Sequence, residues 1–189
     1  MAFCLFVGNV KAEEDYAPGA KSAILVDSAT GKVLFEKNAD EALAPASMTK
    51  LGSMLIIMEA IDNGSLSLDD EVTISEEAAN MGGSQVFLEA GEVYKVHDLL
   101  KGVAIASGND AVVALAEKVA GSQNEFVAMM NERFKEIGAK NTNFVNAHGL
   151  DAEGHYSTAR DMSIIARELL KHEKILEYTS IYEEYLEKN

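Results

Sequence analysis

Ser47-Met48-Thr49-Lys50 sets a hydroxyl three residues before an amine, and the spacing Ser-x-x-Lys occurs once in the chain. On a helix, positions three apart share a face, so the two groups lie one turn apart. A serine hydroxyl is a weak nucleophile until a base takes its proton. Lysine can be that base where desolvation keeps it neutral. Pro45 fits a helix start, and a helix N-terminus offers free N–H groups to developing negative charge. One turn can therefore hold nucleophile, base and part of an oxyanion site. Alone, a single Ser-x-x-Lys is also what chance supplies in 189 residues.

A second polar cluster, Ser107-Gly108-Asn109, interrupts two apolar runs, Leu99 to Ala106 and Ala111 to Leu115. It supplies a hydroxyl able to relay a proton and an amide able both to donate and to accept. A helix cap is its plain structural reading. Ser122-Gln123-Asn124 has the same residue types, but Ser122 precedes Glu125 by three, the spacing of a capping box.

Those groups need elements to position them. Ser22 to Val26 and Lys32 to Glu36 read as strands joined by the turn Asp27–Gly31, a hairpin. Ala46 to Ile61 reads as a helix stopped by Asn63-Gly64. Residues 69–91 read as loop and short strand. Val96 to Ile105, Asp110 to Ala120 and Asn124 to Ile137 read as helices, with Gly121 and Gly138 as stops. Residues 140–156 are irregular. Thr158 opens another helix with Asp161 as capping partner, and the tail from Glu173 reads as helical. The class is α+β.

Composition excludes several functions. Hydrophobic residues are 48% and charged ones 25%, near globular averages. A formal net charge of -15 argues against nucleic-acid binding and attraction to anionic lipid. His97, His155 and His172 lack the spacing of a zinc pair, Gly82-Gly83 is no phosphate loop, and no metal or other cofactor is expected. Met54, Met58, Met81, Met129 and Met130 read as core filler. Residues 1–12 read as an export signal without its positive start, holding the only cysteine, Cys4. No run approaches a membrane-spanning length.

Four ordered motifs together resemble the D-alanyl-D-alanine carboxypeptidases, the low-molecular-mass penicillin-binding proteins. They are Ala44–Lys50, Met81–Phe87, the pair Ser107/Asn109, and Asn146–Asp151 with Ser157–Met162. The resemblance implies the β-lactamase/penicillin-binding-protein transpeptidase-like fold, a helical subdomain with an antiparallel sheet. It implies Ser47 as nucleophile, Lys50 as general base, Ser107 as proton relay and Asn109 as substrate ligand. It further implies substrate contacts at Ser84, Gln85, His148 and Gly149, while the plainer reading of His148 is a histidine that holds its own loop together. The substrate implied is a peptidoglycan pentapeptide ending in D-Ala-D-Ala, with β-lactam antibiotics as acylating mimics, in an extracytoplasmic compartment.

The family's Lys-Thr-Gly is absent. Residues 13–189 are accordingly expected to be a truncated catalytic domain. It would lack the Lys-Thr-Gly strand, the C-terminal domain and the amphipathic anchor that alone would reach a membrane. The sheet is expected to be incomplete, and without that strand turnover is expected of the longer parent rather than of this chain. Two alternatives remain: a class A-like β-lactamase, disfavoured because residues 141–150 contain no glutamate, and a non-catalytic cell-wall binding fragment.

Overall fold

The computed structural model describes residues 15–185. The export-signal reading of residues 1–12 lies outside them. The elements run β1 (Ala23–Val26), β2 (Val33–Lys37), α1 (Thr49–Asp62), β3 (Glu71–Thr73), α2 (Glu76–Ala79), β4 (Val93–Lys95), α3 (Val96–Ala106), α4 (Asn109–Ala120), α5 (Gln123–Ile137), α6 (Ala159–Leu169) and α7 (Ile175–Thr179).

Two helices are apolar nearly all round and therefore become the centre of the molecule. Helix α1 buries Gly52 and the run Met54–Met58, and α4 buries Ala111–Ala116. Helices α3, α5 and α6 pack around this pair. Gly52 lets α5 approach closely, because a Cβ there would stand 2.5 Å from Phe134 Cζ. Phe134 in turn meets Phe144 edge-on, with ring centroids 5.3 Å apart. Each outer helix has a sequence-encoded start. Ser122 accepts from the Glu125 N–H, and Thr158 accepts from the Asp161 N–H.

Strands β1 and β2 form an antiparallel pair in which Leu25 faces Phe35 and Val26 faces Val33, leaving Leu34 as a bulge. The turn is held by Asp27, whose carboxylate accepts from the N–H and hydroxyl of Thr30. Gly31, at φ 74°, completes it where a side chain would collide with Arg167. Among the described residues β1 and β2 pair only with each other, and α6 covers one side of β1. Strands β3 and β4 form a second two-stranded ladder, Val72 opposite Tyr94.

Three sequence readings need correction. The helix expected from Ala46 begins at Thr49, after a 3₁₀ turn over Ala46–Met48. Residues 69–91 contain a short helix, α2, because the Ser75 hydroxyl caps it by accepting from the Ala78 N–H at 2.9 Å. The tail is helical only at Ile175–Thr179, where Ile175 and Tyr178 are buried. Residues 181–185 leave the helix after its cap at Ser180.

Candidate active site

The site begins with a strained turn. Ala46 has φ 48°, a left-handed conformation uncommon for a residue with a Cβ. It sits between buried Pro45 and exposed Ser47 and lifts the Ser47 hydroxyl to the surface at the head of α1. Something must hold that turn, and Gly149 does so. It has φ 92°, and a Cβ on it would fall on the Ala46 carbonyl oxygen. The loop backbone thus lies directly against the peptide preceding Ser47.

Lys50, one turn on, is 3% exposed. Its ammonium donates to Asn109 Oδ1 at 2.7 Å, to the His148 carbonyl at 2.8 Å and, more weakly, to Ser47 Oγ at 3.5 Å. All three partners are neutral. Among the described residues no carboxylate faces it, so burial disfavours the charged form, and the Lys50 pKa falls to about 8. The group is thereby brought within reach of neutral pH as a proton acceptor.

Asn109 is delivered by an abrupt elbow. Helix α3 ends where Ser107 turns left-handed, at φ 55°, and α4 starts two residues later. The Asn109 backbone N–H donates to the Ser84 carbonyl at 2.7 Å, and its side-chain NH₂ donates to the Gly82 carbonyl at 2.6 Å. Its remaining amide atom, Oδ1, then faces Lys50. Ser107 is half-buried, and among the described residues its hydroxyl has no hydrogen-bond partner. Ser84 is exposed and Gln85 half-buried on the loop beside Asn109.

The last wall is the loop Asn146–Leu150. Asn146 Oδ1 accepts from the N–H groups of His148 and Gly149, and its NH₂ donates to the Leu150 carbonyl. His148 Nδ1 accepts from the Leu150 N–H at 3.1 Å, and burial, with Lys50 nearby, pushes its pKa down to about 4. It is neutral near pH 7. Helix α1 grips the loop: Lys50 binds the His148 carbonyl, and Ser53 donates to the Ala147 carbonyl at 2.6 Å. His155 supplies another tie. Its Nδ1 accepts from the Val145 N–H, so its Nε2 carries the hydrogen that meets Thr49 Oγ1 at 2.8 Å. The ring stacks on Phe144, and burial lowers its pKa too.

The fold thus brings Ser47, Lys50 and Asn109 together and lays His148 and Gly149 against them, while Ser84 joins through its backbone. No hydrogen bond ties the side chains of Ser107 or Gln85 to Ser47 or Lys50 among the described residues. Thr49, Ser53, Asp110, Asn146 and His155 were not singled out as site residues from sequence. Ser53 did carry a signal, because Ser47, Lys50 and Ser53 continue one spacing of three. Asp110, Asn146 and His155 act on backbone groups and Thr49 on the His155 ring, partners that no residue pattern announces.

A family model described as D-alanyl-D-alanine carboxypeptidase matches residues 9–189. The D-alanyl-D-alanine carboxypeptidase DacF of Bacillus subtilis is 57% identical over 179 residues, 95% of this chain and 46% of that protein. The crystal structure of the carboxypeptidase DacD from Francisella tularensis superposes with a TM-score of 0.84 at 36% identity, covering 95% of this chain and 43% of that one. Penicillin-binding protein D2 from Listeria monocytogenes, in an ampicillin-bound form, matches with a TM-score of 0.76 at 30% identity, over 86% of this chain and 66% of that one. The chain spans about half the length of the curated relatives it matches. Its mixed α and β architecture is that of these penicillin-binding enzymes, and it belongs to the D-alanyl-D-alanine carboxypeptidase family.

Proposed function

We propose that this chain carries the nucleophile half of a serine-type D-Ala-D-Ala carboxypeptidase, acting on peptidoglycan stem peptides outside the cytoplasm through an acyl-enzyme. One observation carries the reading. A buried lysine with a pKa near 8 hydrogen-bonds the hydroxyl of an exposed serine one turn away, and is held there by an asparagine 59 residues distant. A structural lysine would gain nothing from burial without a counter-charge.

In this mechanism Lys50, in its neutral form, takes the proton as Ser47 Oγ attacks the carbonyl of the penultimate D-alanine. The C–N bond then breaks. The leaving D-alanine nitrogen receives a proton by way of Ser107, whose hydroxyl is not committed to any other side chain. Asn109 supports the peptide of the substrate. The Ser47 N–H contributes one oxyanion donor, typically worth about 3 kcal/mol. Water, deprotonated by Lys50 in turn, hydrolyses the ester. A β-lactam follows the same first step, its ring amide opening on Ser47, as expected of a family that includes an ampicillin-bound structure.

The test is a fluorescent penicillin incubated with the chain, followed by mass spectrometry of the adduct. A long-lived ester on Ser47 is expected, absent in Ser47→Ala and in Lys50→Arg. Arginine keeps the charge but cannot release a proton near neutral pH. The acylation rate of the parent rises with pH through about 8, as Lys50 becomes neutral. Rapid release of hydrolysed drug would indicate a β-lactamase. No adduct with folded protein, or an active Lys50→Arg, would overturn the assignment.

A further inference from the structure

Asp110 is 1% exposed, and the mechanism above makes no use of it. It sits in the first turn of α4, directly after Asn109, yet its carboxylate does more than cap that helix. Oδ1 accepts from its neighbour Ala111 N–H at 2.8 Å. Both oxygens also reach across to a different segment. The Val86 N–H meets them at 3.1 and 3.0 Å, and the Leu88 N–H donates to Oδ2 at 3.2 Å. Hydrogen bonds to a carboxylate are the strong kind, and these are buried or partly buried.

The two loop amides straddle Phe87. That residue has φ 61°, a left-handed backbone that is an outlier for a bulky side chain, and it is 70% exposed. Such strain persists only where surroundings over-determine it. Asp110 is the group that does so, because pulling both flanking N–H groups onto one carboxylate everts the residue between them.

The same loop presents the carbonyls of Gly82 and Ser84 to Asn109, at 2.6 and 2.7 Å. Those contacts decide which end of the Asn109 amide faces Lys50. With its NH₂ occupied by Gly82, Asn109 can offer Lys50 only its oxygen. Gly83 completes the fit, since a Cβ there would stand 2.8 Å from Asn109 Nδ2.

We propose that Asp110 is a positioning residue for the base: its buried carboxylate holds the Gly82–Leu88 loop on α4, and the loop holds Asn109 oxygen-first against Lys50. The proposal rests on the serine–lysine reading of the site. Lys50 faces the Asn109 amide, the His148 carbonyl and the Ser47 hydroxyl, with the neutral His148 imidazole as its titratable neighbour. Loss of the Asn109 acceptor therefore removes one of the groups stabilising the ammonium.

Two variants attack the contact from opposite sides. Asp110→Asn replaces one acceptor oxygen by an NH₂ that points at backbone N–H groups. Gly83→Ala leaves the Asp110 carboxylate in place and pushes on the Asn109 amide from the loop. Each is compared with the parent chain by melting curve, by penicillin acylation rate and by NMR titration of the Lys50 side chain. The expected result in folded variants is acylation slowed at least tenfold and a lower Lys50 titration midpoint. Wild-type rates and an unmoved midpoint in folded Asp110→Asn would overturn the proposal, as would an unaffected Gly83→Ala. Should the parent itself show no acylation, the serine–lysine reading fails, and the Lys50 midpoints still decide what Asp110 does. A role confined to stability would lower the melting temperature and leave the midpoint in place.

Discussion

The β1–β2 hairpin and the stretch from Asn143 to Ser157 are opposites. The hairpin is regular, with a paired ladder and a well-made turn, yet it leaves Leu25, Val33 and Leu34 exposed. The 143–157 stretch has almost no regular structure, only bridges of Asn143 to Tyr156 and Ser157 to Leu43. Even so, Phe144, Ala147, His148, Gly149 and His155 are buried in it, and it forms a wall of the candidate site. Regularity and rigidity have separated. Backbone ladders shape the hairpin, whereas side chains of α1 and of the loop itself bind the loop's carbonyls and N–H groups one by one. Buried irregular backbone needs such partners, because each unpaired group costs about 1–3 kcal/mol.

The largest break in that comparison is Gly149→Ala. The added Cβ would land on the Ala46 carbonyl oxygen, and φ 92° is strained for alanine even in open space. Neither the loop nor the Ser47 turn can yield alone, since Asn146 and Thr49 fix them from either side. We expect about 4 kcal/mol of destabilisation, in the severe range for a single substitution, with acylation lost even in protein that still folds in the cold. A variant with parental melting and parental acylation would show that the loop and the turn do not press on each other.

This glycine also shows what sequence could and could not disclose. The hairpin, the helices and their caps were legible because they rest on local rules: alternation, a capping serine or threonine, a stopping glycine. Ser47, Lys50 and Asn109 were legible because their residue types carry chemistry at recognisable spacings. The ties of the 143–157 stretch were not. Ser53 and His155 bind main-chain or hydroxyl groups many residues away, as Asp110 does in the Gly82–Leu88 loop, and nothing in their own neighbourhood marks the partner. Short α2 escaped for a related reason: four residues have no periodicity to read, and its Ser75 cap was hidden in a segment without other helix signals.

A smaller loss is expected from His155→Ala. The ring stacks on Phe144, accepts from Val145 and donates to Thr49. Its removal leaves a cavity and unpaired polar groups, for about 2–3 kcal/mol. Acid probes the same stretch without mutation. The folded pKa of His148 is about 4, below its ordinary 6.5, and that of His155 is also lowered. Between those values the unfolded chain binds more protons than the folded one, so stability is present above about pH 6.5 and declines as pH falls toward 4. Urea midpoints measured from pH 7.5 to 4.5 should fall in the parent and fall less steeply in His155→Ala. Parallel curves would mean that His155 contributes nothing to the acid sensitivity.

The smallest effect belongs to the hairpin. Leu34 is the bulged residue of β2, 57% exposed and, among the described residues, without a cross-strand partner. In Leu34→Lys the new ammonium remains in water and the ladder keeps every hydrogen bond. Little burial is lost, so the melting curve should move by no more than about 0.5 kcal/mol, with acylation of Ser47 unchanged. Solution behaviour should change more than stability does. A short apolar strand with a free edge invites pairing with another chain, and an edge lysine opposes it. Sedimentation at rising concentration should then show less self-association for Leu34→Lys than for the parent. A destabilisation matching that of His155→Ala would mean the hairpin is locked to the body as firmly as the loop is, and the contrast between the two regions would collapse.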